Sequence, residues 1–333
     1  MGNSSGRPCT LKAGLVSGQM SYDHGLMRTN GEWDALVDAA PSLSAKSKAS
    51  YKKQLRSVLR IFNDNETLGL STILTDLEHA ATVFAKVPDN SARTYIAAML
   101  SLFKRAEEGG FIKRTSPSIL KLSQQWSELL HSVSKRYLTR LDNNEPSLRE
   151  RETHASMNEW RDVFRKAYKA DPTSQSTLLL AFHALLTPPL RGGDLALVRL
   201  GFTMRGNCLY QSEDDDTWTL HIRDHKTSSS HGDLKRELDT DLTHVLEGNL
   251  KAGPKRDWLF ASQSGAPYSD SGFSTWKSSV FLAAFGRNVT TNSLRHEFIS
   301  SMDRQNQTTA AARLIAHQMG HGLSTQRQYI RFM

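Results

Sequence analysis

The chain has 333 residues, 38% of them hydrophobic and 23% charged, a composition that excludes fibrous and disordered chains and suits two modest globular domains. Lysine and arginine number 42 against 34 acidic residues, a formal charge of +8, which suits a polyanionic partner. The apolar runs, such as Leu178 to Leu186, fall well short of the roughly 20 residues of a membrane helix. Met1 to Met20 carries glycine, serine and proline where a signal peptide has its apolar stretch, so an intracellular protein is expected. The two cysteines, Cys9 and Cys208, supply neither a disulfide framework nor a cysteine zinc site.

Residues 1–29 show no apolar period and are expected to form a flexible tail. From 30 to 141 apolar residues recur every three or four positions: Tyr51, Leu55, Val58, Leu59 and Phe62, then Leu77, Ala80, Ala81 and Phe84, then Tyr95, Met99, Leu102 and Phe103. This spacing predicts a helical domain. Asn90 and Ser116 are expected helix caps, Pro117 a first helical residue, and Gly109-Gly110 a stop. Basic residues concentrate between 109 and 141, where Lys113, Arg114, Lys121, Lys135, Arg136 and Arg140 face a single acid, Glu128. Such a stripe is the footprint expected of DNA binding.

Residues 142–156 contain a proline and no apolar period, which predicts an extended interdomain linker. A second domain, 157–333, is expected to open with a capping box, Ser156 and Glu159, followed by helices around Trp160–Tyr168 and Ser174–Leu186. Strand character appears at Leu209-Tyr210, Trp218–Ile222 and Glu237-Leu238, around a serine-rich loop at 228–232. Helices are then expected at 240–250, 269–285, 291–304, 307–319 and 324–331.

Several polar groups in this second half stand out. Arg191 lies between a helix end and an expected new helix, with Asp194 close enough in sequence to orient its guanidinium and make it an anion ligand. Lys226 follows a strand and opens the serine-rich loop; Lys235 or Arg236 on the return strand would serve equally well. Asn292, Arg295 and His296 open a helix, His321 sits between two glycines, and Tyr329 follows eight residues later. Each has a plain packing role open to it: an ion pair stapling helix ends, a solvated hairpin lysine, a loop histidine, an aromatic ring on an amphipathic helix.

In this order, Leu-Arg-x-x-Asp-Leu at 190–195, His-Lys-Thr at 225–227, Leu-Arg-His at 294–296, Met-Gly-His at 319–321 and Tyr329 resemble the catalytic domain of the tyrosine recombinases, or phage-type integrases. The resemblance spans about 35–333 in architecture and 185–333 in motifs. Its wording is similar to recombinases of large eukaryotic DNA viruses and related mobile elements. It implies a fold that is mainly α with a small β-sheet: a helical core-binding domain and an α+β catalytic domain closing as a C-shaped clamp on DNA.

The resemblance also implies roles. Tyr329 would attack a DNA phosphodiester to give a 3′-phosphotyrosyl link. Arg191 and Arg295 would bind the non-bridging oxygens, His321 would hydrogen-bond the phosphate, Lys226 would protonate the leaving 5′ oxygen, and Asp194 would support the site. The chemistry fits these residue types. A phenol titrates at about 10, so nearby cations must favour the developing phenolate, and a lysine, unlike an arginine, can give up its proton. Asn292 stands where the family has His or Lys, and the interval from His321 to Tyr329 is one residue shorter than is common in it.

The resemblance implies strand exchange at a specific double-stranded DNA site, with neither metal nor nucleotide cofactor, by a tetramer assembled on DNA. The compartment would be wherever that DNA is: the nucleus or cytoplasm of a host, or a virion. Two other readings stay open, a type IB topoisomerase-like relaxase and a non-catalytic architectural DNA-binding protein with the same fold.

Overall fold

A computed structural model describes residues 30–62, 70–108, 116–303 and 308–331. The expected tail, 1–29, and the basic residues Lys113 and Arg114 lie outside them, as does the glycine pair at 109–110. Tertiary contacts divide the chain into two units, Met1–Leu138 and Thr139–Met333.

The first unit is helical: α1 (Asn30–Ala39), α2 (Ala45–Phe62), α3 (Leu70–Thr75), α4 (Leu77–Ala85), α5 (Asp89–Glu108) and most of α6 (Pro117–Asp142). Leu55, Val58 and Phe62 form one buried stripe of α2, and Ile96, Met99, Leu102 and Phe103 form that of α5, as the three- and four-residue spacing requires. Phe84 is the hub, meeting Phe62 edge-on at 5.4 Å and Trp126 at 6.2 Å. The Trp126 indole N–H is buried with the ring and donates to the Leu74 carbonyl at 2.9 Å, satisfying a polar group that would otherwise be stranded. Pro117 opens α6 as expected. Asn90 does not cap α5; that helix starts one residue earlier, with the Pro88 carbonyl accepting from the Ser91 and Ala92 N–H groups. The division between the units falls inside α6, near its end, rather than after it.

The second unit begins with an unexpected element. Within 142–156, expected to be extended, Leu148–Glu152 forms a helical turn, α7. Ser147 and Glu150 build the reciprocal capping box that starts it, and at five residues it is too short to show an apolar period. The box expected at 156–159 forms only its first half. Ser156 accepts from the Glu159 N–H at 3.1 Å, but the Glu159 carboxylate pairs with Arg287 at 2.6 and 2.8 Å.

Then come α8 (Met157–Ala170) and α9 (Gln175–Leu185). Every residue of α9 from Thr177 to Ala184 is buried, so this helix is the centre of the unit rather than a surface element. Trp160 on α8 packs against it and against Phe281 and Phe285.

The sheet follows: β1 (Val198–Leu200), β2 (Asn207–Gln211), β3 (Trp218–Ile222) and β4 (Leu234–Glu237), in the order β1-β2-β3-β4. β1 runs parallel to β2; the other pairs are antiparallel, with Leu209 opposite Leu220 and Leu220 opposite Arg236. Three residues of β1 gave no alternation to read. The serine-rich loop holds a helical turn, α10 (Ser228–His231).

Among the described residues the unit continues with α11 (Thr240–Ala252), α12 (Asp270–Phe285), α13 (Thr291–Asp303), α14 (Thr309–Gln318) and α15 (Leu323–Arg327). The last stops short of the expected 331, leaving Tyr329 in a turn beyond it. The fold is mainly α with a small four-stranded sheet, as expected. No helix among the described residues is long and apolar enough to cross a membrane.

Candidate active site

Arg191 leaves the end of α9 through the Thr187–Leu190 segment. Residues 192–197 form turns leading into β1, not the expected helix. Asp194 Oδ2 accepts the backbone N–H of Arg191 at 3.2 Å, so it fixes the backbone of the arginine rather than its guanidinium. The guanidinium donates instead to Thr227 Oγ1 at 2.9 Å and to the Gly320 carbonyl at 3.0 Å. Burial raises the Asp194 carboxyl above its ordinary range, against the pull of Arg191, His225 and Arg295. Gly192 is needed by space: an ideal Cβ there would stand 2.0 Å from Lys277 Nζ and 2.6 Å from Thr291 Oγ1.

His321 is placed by the way α14 ends. The Gly320 N–H donates to the His317 carbonyl at 2.9 Å and the His321 N–H to the Ala316 carbonyl at 3.0 Å, with Gly320 at φ +68°. This double closure is the Schellman arrangement, which requires a residue tolerant of the left-handed region at that glycine. The closure turns the imidazole inwards, where it is 3% exposed. Nδ1 lies 3.3 Å from the Gly322 carbonyl, while Nε2 is buried without a partner among the described residues. Burial first, and the neighbouring Arg295 charge second, lower its pKa to about 4. It is therefore neutral at pH 7, with the hydrogen assigned to Nδ1 because a carbonyl can only accept.

Arg295 enters from α13 and is 1% exposed. Its Nη1 donates to the Pro189 carbonyl at 3.1 Å and its Nη2 to the Met319 carbonyl at 3.2 Å. Arg236, on β4, does the same one residue back on each segment, donating to Pro188 at 3.0 Å and Gln318 at 3.2 Å. With Arg191 on Gly320, three guanidiniums bind the 188–191 segment to the 318–320 turn. Arg295 Nε remains buried and unpartnered among the described residues, a costly arrangement that an incoming anion would relieve.

Tyr329 lies over these groups. Its ring is 5.2 Å from that of His321 and nearly parallel to it, at 13°; the Arg295 guanidinium carbon is 5.2 Å from its centroid. His296 packs on it at 4.6 Å and holds its backbone, with Nδ1 donating to the Tyr329 carbonyl at 2.7 Å. Asn292 Nδ2 donates to the other nitrogen of His296 at 3.1 Å. Burial, against the bond to the Tyr329 carbonyl, lowers the His296 pKa to about 4. Two arginines, a neutral histidine and a phenol thus meet at one point, and the unsatisfied donor among them faces inwards.

Comparison with solved structures bears on this arrangement. The chain superposes on a lambda integrase fragment, residues 75–356, solved as a dimer bound to a COC′ core site, with a TM-score of 0.52 and 13% identity over 90% of this chain and 93% of that one. A lambda integrase tetramer bound to a Holliday junction gives 0.51 and 13% over 91% of this chain and 77% of that one. The XerH site-specific recombinase bound to difH substrate, in a pre-cleavage complex, gives 0.50 and 15% over 91% and 82%. This chain has the tyrosine recombinase fold. No sequence profile of a known family matches it, and no curated protein does.

On this tyrosine recombinase fold the residues singled out from the sequence fall into three groups. Arg191, Asp194, Arg295, His321 and Tyr329 converge as described. Lys226 is exposed in the turn before α10, beside Thr227, and its side chain makes no hydrogen bond among the described residues. Asn292 is exposed and reaches the tyrosine only through His296.

The basic stripe is divided. Lys121 and Lys135 are exposed. Arg136 pairs with Asp89 at 3.1 Å, and Arg140 pairs with Glu150 at 3.2 Å. Thr227, Lys277, Glu150 and Arg331 were not identified from the sequence as site residues, and Arg236 was named there only as an alternative to Lys226. Only Glu150 left a readable trace, the Ser147-x-x-Glu150 capping pattern.

Proposed function

We propose that this protein is a site-specific DNA recombinase or integrase that cleaves and rejoins strands through a 3′-phosphotyrosyl intermediate on Tyr329. The observation that carries the proposal is the stacking of Tyr329 on His321 and Arg295, each of which keeps a buried ring or guanidinium nitrogen unpartnered among the described residues. The Arg295 Nε–H is suited to a non-bridging oxygen of a phosphodiester, His321 would donate to another through the tautomer that carries its hydrogen on Nε2, and Arg191 adds a second cation, half-buried and preorganised by Thr227 and Gly320.

In the proposed reaction the guanidiniums neutralise the pentavalent phosphate and favour the developing phenolate. The Tyr329 phenol gives up its proton to water and its oxygen bonds to phosphorus while the bond to the 5′ oxygen breaks, and that oxygen takes a proton from Lys226, whose turn lies beside the Arg191 partner Thr227. The phosphotyrosine retains the energy of the cleaved bond, so attack by a 5′-hydroxyl from another duplex completes exchange without a nucleotide cofactor. Exchange between two duplexes involves four protomers, a number matched by the lambda integrase tetramer bound to a Holliday junction, and a closed head-to-tail ring is the assembly proposed for them.

The test is capture of covalent adducts. The protein is incubated with a nicked duplex library containing a randomised segment, denatured, and the protein-linked ends are sequenced, with Tyr329→Phe alongside. Adducts at a reproducible sequence, absent from the variant, support the recombinase. Adducts without sequence preference would replace it with a topoisomerase-like relaxase. Salt-sensitive binding with no adduct would replace it with an architectural protein.

A further inference from the structure

The Tyr329 segment carries no regular secondary structure after Arg327, yet it is held at three points. The Arg331 side chain is 4% exposed. Its backbone N–H donates to Ser300 Oγ at 2.8 Å, and its Nη1 folds back onto the Gln328 and Ile330 carbonyls at 2.7 and 2.6 Å. Its Nε and Nη2 both reach Glu150 Oε1 at 3.1 Å.

Glu150 is itself immobilised. Its other oxygen accepts the Ser147 N–H at 2.6 Å and the Arg140 guanidinium at 3.2 Å. Oε1 also stands 3.5 Å from His296 Nε2, the histidine whose Nδ1 binds the Tyr329 carbonyl. One carboxylate therefore faces both of the groups that fix the tyrosine backbone, Arg331 two residues after it and His296 beneath it.

We propose that Glu150 and Arg331 are positioning residues for Tyr329: the pair clamps the segment so that the phenol rests over the Arg295 and His321 of its own chain. This rests on Tyr329 being the nucleophile. A helix would have held the side chain by its own hydrogen bonds, but α15 ends at Arg327, and the clamp replaces the missing turn. The requirement is geometric, because displacing a nucleophile by about 1 Å costs on the order of a hundredfold in rate.

The experiment uses Glu150→Gln, Arg331→Gln and the double variant of the full chain, with a nicked duplex carrying the sequence recovered by adduct capture. Single-turnover adduct formation is measured at saturating DNA, and DNA affinity is measured separately. Each single variant is expected to slow adduct formation at least tenfold while affinity changes less than twofold, and the double variant to be no slower than the slower single. Losses that multiply, or that appear in affinity alone, would overturn the clamp, as would unchanged rates.

A second readout needs no DNA: amide exchange over 323–331 should accelerate in Glu150→Gln, with the remainder of the second unit unchanged. Acceleration throughout that unit would show a general structural role instead. If the unaltered protein forms no adduct on any member of the library, the nucleophile assignment falls with the positioning role, whereas slow exchange lost in Glu150→Gln would still establish the contact.

Discussion

The ring of Tyr329 lies nearly parallel to that of His321, 5.2 Å away. The same ring covers the Arg295 guanidinium, so the phenol shields two side chains that each keep one buried nitrogen unpartnered among the described residues. Tyr329→Phe keeps this cover and removes the hydroxyl. It is expected to unfold within about 0.5 kcal/mol of the unaltered protein, to bind DNA, and to form no adduct. Tyr329→Ala also forms none, but it uncovers both groups and should lose about 1–2 kcal/mol of apolar burial. Denaturant unfolding distinguishes the two; equal stability would mean the ring does not cover the site in solution.

Arg236 is a structural counterpart of Arg295, and its removal should be felt as stability. It is 6% exposed, and Arg236→Met strands the Pro188 and Gln318 carbonyls, at about 1–3 kcal/mol for each unsatisfied group. Urea unfolding should show a loss of about 2–4 kcal/mol, whereas Lys235→Met, on the opposite face of β4 and exposed, should be nearly silent.

Thr227 connects Arg191 to the Gly320 turn, accepting from Arg191 Nη1 at 2.9 Å and donating to Gly320 at 2.6 Å. Thr227→Val preserves shape and removes both bonds. Adduct formation should slow by about ten- to a hundredfold, and Thr227→Ser should restore it. Equal slowing in the serine variant would implicate the methyl group and packing rather than the hydroxyl.

Stability should weaken with acid in two stages. Burial lowers His183 to about 3, and His296 and His321 to about 4, while in the unfolded chain they titrate near 6.5. Between these values the unfolded state binds more protons, so stability is complete above about pH 6.5 and falls as the pH drops towards 4. Glu150 acts lower. Burial alone would raise its pKa, but the Ser147 N–H and hydroxyl and the Arg331 charge outweigh that and hold it at about 2. Its contribution is present above about pH 4.5 and lost as the pH falls towards 2. Urea midpoints measured from about pH 7.5 down to about pH 2 check both stages. A flat profile would contradict the histidine assignments, and Glu150→Gln should change only the lower stage.

Affinity for DNA should fall steeply with salt. Among the basic residues of α6, Lys121 and Lys135 are free to contact phosphate, and replacing either with alanine should reduce the salt slope by about one. Arg140→Ala should instead loosen the Glu150 cluster, seen as a lower unfolding midpoint with a smaller change in slope.

The sequence by itself determined the helical first unit, because Leu55, Val58 and Phe62 or Met99, Leu102 and Phe103 recur at the pitch of a helix that buries one face. It also singled out Arg191, Arg295, His321 and Tyr329 as candidates, not one by one, since each has a plain packing role open to it, but through the order of motifs in which they resemble the tyrosine recombinases. Local signals were sufficient where one element carried the pattern, as at Pro117 and at the glycines flanking His321.

Tertiary structure alone decided how those groups meet. That Asp194 fixes the Arg191 backbone while Thr227 takes its guanidinium depends on elements 36 residues apart, and Arg236 reads as a surface strand residue until its neighbours at 188 and 318 are known. The Asn292 amide is intelligible only beside His296, whose Nε2 accepts from it while Nδ1 holds the Tyr329 carbonyl. Glu150 and Arg331, separated by 181 residues, have no common local pattern. Hydrophobic periodicity is a property of single elements, but the placement of a buried charge is set by whichever distant groups share its low-dielectric surroundings.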